Sequence, residues 1–423
     1  MILRSAWYLA LVLARQYGTT SGMRRSQLRG VNAMLAHAVR SVPYYRRHKG
    51  YHRAPLPSLA HLRELPLLTK QQVRELTAAD LVADDVDRRD CVEVVTSGTT
   101  GQRLAILHDR RHEDRQNAAA ARRWLATGRY LPVHRMSALR ATPVDSYGVQ
   151  RLGLFRRQVV LTSVPAEQWP ELLLRFRPHV LVAYPVHMRE LRRVLTGDQL
   201  ARLRTTLRAV LTDSEMLTGE QRAAITEEFG VPVFDEYSSF ETLQIYYECA
   251  RGGRHIAEDL VHVEVVDEHG EPVPDGTEGR IVCTAFRERA MPLIRYVLGD
   301  VGVIDQRPCR CGRRFRTMRL TRGRLNDSIV LPDGRRLFAD RFIAMVVGHP
   351  GVAGLFARQD ATGAVRVHVA PDGTVPLPRL LSTVRETLVA QAGQEFPLEV
   401  QPVDRVPLTP GGKARVVESD YRS

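Results

Sequence analysis

From Met136 to Phe234 the chain alternates short apolar runs with longer stretches of helical spacing. Val159-Val160-Leu161, Val180-Leu181-Val182-Ala183, Leu207 to Leu211 and Val231 to Phe234 read as strands. Ala166 to Phe176, His187 to Leu195 and Gly219 to Phe229 read as the helices between them. Strands alternating with helices argue for a layered α/β sheet. The character changes after Glu248, where Val261 to Val266, Gly279 to Thr284 and Val301 to Ile304 are strands separated by turn residues. That pattern predicts a smaller β-rich subdomain, over about residues 248–320. A second break falls at Gly323-Arg324. Beyond it, strands at 328–331, 365–369 and 398–400 and helices at 339–347 and 377–391 read as a small α+β module, in a split βαβ arrangement. The expected division is therefore 1–322 and 323–423. Residues 24–49 read as a helix ending in Ser41-Val42-Pro43-Tyr44-Tyr45. Pro55, Pro57 and Pro66 mark an extended crossing, and Thr69-Lys70-Gln71-Gln72 starts a helix.

Composition narrows the class. The 423 residues are 44% hydrophobic, which suits a soluble globular protein. The net charge of +14 resembles a nucleic-acid signal, but only three of the 61 basic residues are lysine, and the arginines are spread along the whole chain. No aromatic–basic interleaving accompanies them, so no specific nucleic-acid partner is expected, only non-specific adhesion to polyanions. The apolar N-terminus, Met1 to Tyr17, carries Arg4 and Arg15 and is too short to span a bilayer; it reads as an amphipathic helix docked on the body. Five cysteines with one Cys-x-Cys do not make a disulfide framework. They fit metal ligation in a reducing cytosol, so a cytoplasmic location is expected.

Chemistry concentrates at a few stretches. Thr96-Ser97-Gly98-Thr99-Thr100-Gly101 lies between two short strands. Its glycines let backbone N–H groups form a concave donor nest, and the hydroxyls of Ser97, Thr99 and Thr100 add donors for phosphate oxygens. A glycine-rich hairpin turn is the alternative. Asp235-Glu236-Tyr237-Ser238-Ser239-Phe240-Glu241 follows a strand, at the end where α/β sheets bind ligands. Tyr237 can stack on a purine, and Glu241 can hold Mg²⁺ together with phosphate oxygens. Asp300, after Pro292-Leu293-Ile294-Arg295-Tyr296 and Gly299, can accept from both ribose hydroxyls. Thr409-Pro410-Gly411-Gly412-Lys413-Ala414 is a glycine loop presenting one of the three lysines. Separately, Cys249, His255, Cys309 and Cys311 offer three thiolates and an imidazole, a set that suits a closed, structural Zn²⁺ site; free thiols beside a satisfied histidine are the alternative. Cys91 and Cys283 read as core thiols.

The order of these pieces resembles the adenylate-forming superfamily of acyl-CoA ligases and luciferases, and within it the phenylacetate–CoA ligase branch. The resemblance runs over nearly the whole chain, from Ser41-Val42-Pro43-Tyr44-Tyr45-Arg46 through the 97–101 turn, Pro292 to Asp300, Cys309-Arg310-Cys311-Gly312-Arg313, Gly323-Arg324 with Asp327, to Gly411-Gly412-Lys413. It implies a large N-terminal domain and a mobile C-terminal lid. It implies ATP-dependent activation of a carboxylate as acyl-AMP, followed by transfer to the thiol of coenzyme A or of a carrier protein. By the same resemblance Gly98, Gly101 and the hydroxyls cradle phosphate, and Glu215, Asp235, Glu236 and Tyr237 lie on the nucleotide side. Arg324 pairs with ribose or phosphate near the hinge, Asp327 is a pivot, and Lys413 bridges the acid and the α-phosphate. A compact ammonium on a flexible stem enters a narrow gap that a planar guanidinium would not. Some members of the branch carry a similar Cys, His, Cys-x-Cys set.

Three departures mark this chain. Phe240 replaces the hydroxyl that usually precedes the glutamate, Gln102 stands where a lysine often follows the turn, and 136–157 lacks a glycine-rich stretch. A rebuilt acid pocket is expected, with His134, Tyr147 and Tyr184 as candidate lining residues. The leading expectation is a ligase for an aromatic or related acid. A different acceptor or oxyanion, in an amide-forming ligase or a nitrite-activating diazotase of a biosynthetic pathway, is the second reading. A non-catalytic polyanion binder on a degenerate fold is the third. Apolar helix faces leave a homodimer open.

Overall fold

The computed structural model describes residues 2–95, 105–109, 111–141, 150, 153–322, 328–408 and 416–421. The N-terminal helix α1 (Ile2–Arg15) packs on the body, with Val12 buried. Thr19 caps α2 (Thr20–Ser41) by accepting from the Gly22 N–H at 3.1 Å. The single helix expected over 24–49 is split. Val42 is extended because the ring of Pro43 disfavours helical backbone before it, and Pro43 then opens α3 (Pro43–Arg47). A reciprocal Thr69/Gln72 cap starts α4 (Lys70–Glu75), and α5 (Ala78–Leu81) follows. The strands β1 (Cys91–Val95) and β2 (Ala105–Asp109) pair antiparallel, and α6 (Arg111–Ala126) follows them.

The central sheet contains β3 (Met136–Arg140), β4 (Arg157–Leu161), β5 (Val180–Val182), β6 (Ala209–Thr212), β7 (Val233–Ser239), β8 (Leu243–Glu248) and β9 (Arg254–Ile256), in the order β4-β3-β5-β6-β7-β8-β9. The first five are parallel and the last two antiparallel. Helices α7 (Trp169–Phe176), α8 (Pro185–Val194), α9 (Gly197–Arg204) and α10 (Gly219–Phe229) connect them. Successive strand residues point to opposite faces. Leu139, Leu181, Val210 and Val233 enter one apolar layer, and Ala138, Val182, Leu211 and Phe234 enter the other, beneath Trp124 of α6. Gly230, at φ +68°, ends α10 in the left-handed conformation that lets the chain turn directly into β7.

The β-rich subdomain is an antiparallel sheet of β10 (Val261–Val266), β11 (Gly279–Ala285), β12 (Tyr296–Ile304) and β13 (Met318–Arg322). Its apolar face joins α2 and the proline-marked crossing in one large core. The C-terminal module has a core of its own, drawn wholly from residues between Ile329 and Val417. It comprises the hairpin β14 (Ser328–Val330) and β15 (Arg336–Phe338), α11 (Ala339–Gly348), β16 (Val352–Gln359), β17 (Val365–Pro371), α12 (Leu377–Ala392), β18 (Leu398–Pro402) and β19 (Val417–Ser419). Its four-stranded sheet runs β18-β17-β16-β19, and α12 makes the parallel crossover from β17 to β18. The architecture is thus a large layered α/β domain with a β-rich subdomain and a small α+β module. None of the described helices is long and apolar enough to cross a membrane.

Candidate active site and metal centre

A cavity of about 690 Å³ opens at the carboxyl ends of β3, β5, β6 and β7. The small module closes it from above with Ala339, Ile343, Val346, Gly354, Val406 and Val416. The two parts touch beside it, where Arg189 of α8 donates to the Val346 carbonyl at 3.4 Å. In such sheets ligands sit outside the carboxyl ends, near the point where strand order reverses. Here that reversal lies between β3 and β5.

On the β6–β7 side the expected nucleotide residues come together. Ser214, at φ +66°, turns the chain sharply after β6, and Glu215 Oε2 accepts from the Val186 N–H at the start of α8, 3.3 Å away. The Tyr237 hydroxyl donates to Asp300 across the gap between β7 and β12, and both residues line the cavity. Glu241 is buried and accepts from the Tyr296 hydroxyl at 3.2 Å. Glu236 accepts from the Gln244 amide at 2.8 Å and pairs with Arg123. Asp235 lies deeper, accepting from the Tyr246 hydroxyl at 2.6 Å; burial pushes its carboxyl up to about 6, against the pull of that hydroxyl. Phe240 stands half exposed at the rim. The Ser239 hydroxyl is engaged with Thr242 Oγ1 at 2.9 Å, shaping the loop.

One cation was not anticipated from the sequence. Lys70 Nζ stands 3.5 Å from Glu241 Oε1 and lines the cavity. It is placed by the crossing segment, because Leu68 exchanges backbone hydrogen bonds with Arg295 and Val297 of the β12 edge at 3.0 and 2.9 Å. The scarcity of lysine that singled out Lys413 was the available signal for Lys70 as well.

Several expected residues lie outside the described ones: Ser97, Gly98, Thr99, Thr100, Gly101, Gln102, Tyr147, Arg324, Asp327 and Lys413. Their described neighbours border the cavity: Val94 before the phosphate turn, Leu320 before the domain break, and Val406 and Val416 on either side of the lysine loop. Tyr184 lines the cavity under the Arg140 guanidinium, 5.2 Å from its ring. The expectation for His134 needs correction. It precedes β3 at the amino end of the sheet, accepts from the Leu131 N–H at 3.0 Å and stacks on His179 at 4.6 Å, so it is not among the cavity-lining residues.

At the far end of the β-rich subdomain, Cys249, His255, Cys309 and Cys311 bring one ligand atom each to within 4.8 Å of all the others. The Cys249 and Cys309 sulfurs are 3.7 Å apart, close to the edge of a tetrahedron with ~2.3 Å metal–sulfur bonds. His255 directs Nδ1 to the Phe315 carbonyl at 3.1 Å, which leaves Nε2 facing Cys311 Sγ at 3.1 Å. That orientation matches an Nε2 ligand fixed by a carbonyl behind it. Burial holds the imidazole down to about 4, in its neutral, metal-binding form, and pushes the Cys249 thiol up to about 12. A Cβ on Gly253 would strike the Cys309 sulfur, so the turn admits only glycine there. The donor set and its second layer fit Zn²⁺.

No family model matches the chain. A phenylacetate–coenzyme A ligase of Aromatoleum evansii is 27% identical over 378 residues, covering 84% of this chain and 83% of that protein. Among solved structures, 2-hydroxyisobutyryl-CoA ligase in its postadenylation state with R3-HIB-AMP superposes with a TM-score of 0.80, at 18% identity, over 96% of this chain and 91% of that one. The same ligase with 2-HIB-AMP and CoA, in the thioesterification state, gives 0.65 at 19% identity over 96% and 92%. The chain has the fold of adenylate-forming acyl-CoA ligases, and the resemblance read from its motifs points to the branch whose name its curated relatives bear.

Proposed function

We propose that this chain, a relative of phenylacetate–CoA ligases built on that fold, activates a carboxylic acid with ATP and passes the acyl group to the thiol of coenzyme A. The observation that carries this reading is the convergence on one cavity of Glu215, Tyr237, Asp300 and Glu241 with the described neighbours of the phosphate turn and the lysine loop. In the first step an acid oxygen attacks the α-phosphorus, the bond to the β-phosphate oxygen breaks, and pyrophosphate leaves. In the second, a thiolate adds to the acyl carbonyl and AMP departs.

Each residue has a task in that sequence. Asp300, oriented by the Tyr237 hydroxyl, accepts from ribose, and the Tyr237 ring and Glu215 flank the base. Glu241 is the oxygen ligand for Mg²⁺ carried with the triphosphate, and Lys70 supplies a fixed positive charge beside it. The 97–101 turn cradles phosphate. Arg324 sits at the hinge, between domains 1–322 and 323–423. Lys413 meets the charge that develops between acid and α-phosphate. The higher overlap with the postadenylation state supports a small module seated for the first step. A reaction that consumes ATP and coenzyme A and a thiolate metal site both suit a cytoplasmic enzyme.

The test is pyrophosphate release by the purified chain over a panel of acids, with and without coenzyme A. Acid-dependent release with AMP and a thioester as products is expected. Release that needs hydroxylamine, or nitrite with an aryl amine, would move the acceptor. Failure with every acid would end the reading.

Cys249, His255, Cys309 and Cys311 hold a structural Zn²⁺ that ties the end of the central sheet to the β-rich subdomain. Elemental analysis should find one zinc per chain, and stripping it should lower the thermal midpoint by several degrees, about what loss of 3–5 kcal/mol does in a chain of this size. A zinc content near zero in protein purified without chelator would remove the site.

A further inference from the structure

We propose that a second cavity, separate from the one described above, binds a small phosphate monoester carried on an apolar body. It measures about 380 Å³, within the usual range of ligand pockets, and lies between α1, α2, the first turns of α6 and the connection from β11 to β12. The Glu288 side chain forms the partition between the two cavities. Its Oε2 meets Nδ1 of His112, which lines the first cavity, at 3.3 Å. Its Oε1 accepts from Nη2 of Arg115, which lines the second, at 2.9 Å.

The lining is cationic. Arg15, Arg40, Arg111, Arg115, Arg287 and Arg289 converge on it from four separate stretches of chain, and Asp109 is the one carboxylate among the described lining residues. Two more carboxylates stand behind it, Glu288 on Arg115 and Asp85 at 3.7 Å from Arg289. Asp259, whose carbonyl accepts from Arg287 Nε at 3.4 Å, commits its carboxylate to Arg122 at 2.8 Å. Six guanidinium groups against Asp109, Glu288 and Asp85 leave three positive charges over. The donors are also open to a ligand. Neither terminal nitrogen of Arg287 and no side-chain nitrogen of Arg15 has a hydrogen-bond partner among the described residues, and none of them is sealed from solvent. Burial and the neighbouring Arg15 cation, against the pull of Asp259, hold the Arg287 guanidinium below the usual arginine range. An anion seated between like charges relieves that repulsion.

The shape and the charge together select the ligand. A phosphate monoester carries close to two negative charges, and planar guanidinium forks meet its oxygens in pairs. Val12, Met34, Leu260 and Phe286 are buried side chains that line the same cavity, a floor that bare phosphate leaves uncovered and an aromatic or aliphatic body covers. A long polyanion would meet Arg40 and Arg111, which are exposed, without entering.

The experiment is isothermal titration of the full chain with phenyl phosphate, beside phenol and inorganic phosphate. It reads binding alone and so stands whether or not the chain is a ligase. One equivalent of phenyl phosphate is expected to bind, at least about tenfold more tightly than either fragment, the least that one charge-assisted hydrogen bond gives. Arg287→Met should weaken it by at least about tenfold, and Arg287→Lys by less. Arg15→Met should act in the same direction and, with no partner to lose, serves where Arg287→Met does not fold. Absence of binding at millimolar phenyl phosphate, or either fragment binding as tightly, would overturn the site. So would binding that is the same in folded Arg287→Met or Arg15→Met as in the parent, because the ester would then sit in the first cavity or adhere to an arginine-rich surface.

Discussion

Lys413→Ala is expected to slow pyrophosphate release by about 10²–10³-fold, the usual consequence of deleting one donor aimed at developing charge. The affinity for ATP should stay nearly unchanged, because in the proposed reading binding rests on the 97–101 turn, Asp300 and the base-side residues rather than on Lys413. Two observations make the loop that carries Lys413 the natural source of that donor. Val406 and Val416, on either side of it, both line the cavity, and β19 is locked in parallel register to β16 through Ala357 and Val417. The C-terminal end of the loop is therefore held at the cavity mouth by the small module's own sheet. Lys413→Arg should also be slow, since a planar fork cannot replace a point charge between two oxyanions. Supplying the acyl-adenylate directly should restore thioester formation in Lys413→Ala, separating the first step from the second. Equal rates of pyrophosphate release in the alanine variant and the parent would remove Lys413 from the chemistry.

What the sequence made legible follows from how local each signal is. The start of α10 could be read to the residue because Thr218 and Gln221 cap it through backbone contacts three positions apart. The apolar runs of β5 and β6 stood out because both faces of those strands are covered. β8 escaped for a related reason. Leu243-Gln244-Ile245-Tyr246-Tyr247-Glu248 is buried at all six positions, yet its polar groups are matched by partners the sequence cannot display. Gln244 meets Arg122 and Glu236, Tyr246 meets Asp235, and Glu248 meets Arg222. Tertiary pairing replaces the alternation that would otherwise mark a strand. The candidate site divides the same way. Residues on a strand end or in a glycine turn announce themselves locally. Lys70 reaches Glu241 only because a separate backbone contact docks the crossing on β12, and His134 was misplaced because which end of β3 a residue occupies depends on the parallel topology.

That docking contact leads to the second large effect. Arg295→Met is expected to destabilise the chain by about 3–5 kcal/mol, read as a drop in the urea midpoint of the N-terminal transition. The Arg295 side chain is buried and every arm is used. Nε donates to Glu264 Oε2 at 3.2 Å and Nη2 lies 3.1 Å from Oε1. Nη1 donates to the Arg63 and Leu65 carbonyls at 3.0 and 2.7 Å, and Nη2 also reaches the Gly270 carbonyl at 2.9 Å. Methionine fills similar volume but leaves Glu264 without its counter-charge in a site where burial already pushes that carboxyl upward, and it frees three carbonyls at once. Pairing the change with Glu264→Gln should recover part of the loss, because the uncompensated charge is then gone while the carbonyls still lack a donor. A deficit below about 1 kcal/mol would mean that the guanidinium is no more than an exposed ion pair in energetic terms. The same clamp holds residues 63–68 against the β12 edge, so its loss reaches the active site through Lys70. In Arg295→Met at temperatures where it remains folded, KM for Mg-ATP should rise more than kcat falls, because a cation beside Glu241 is displaced while the opposite side of the cavity is untouched.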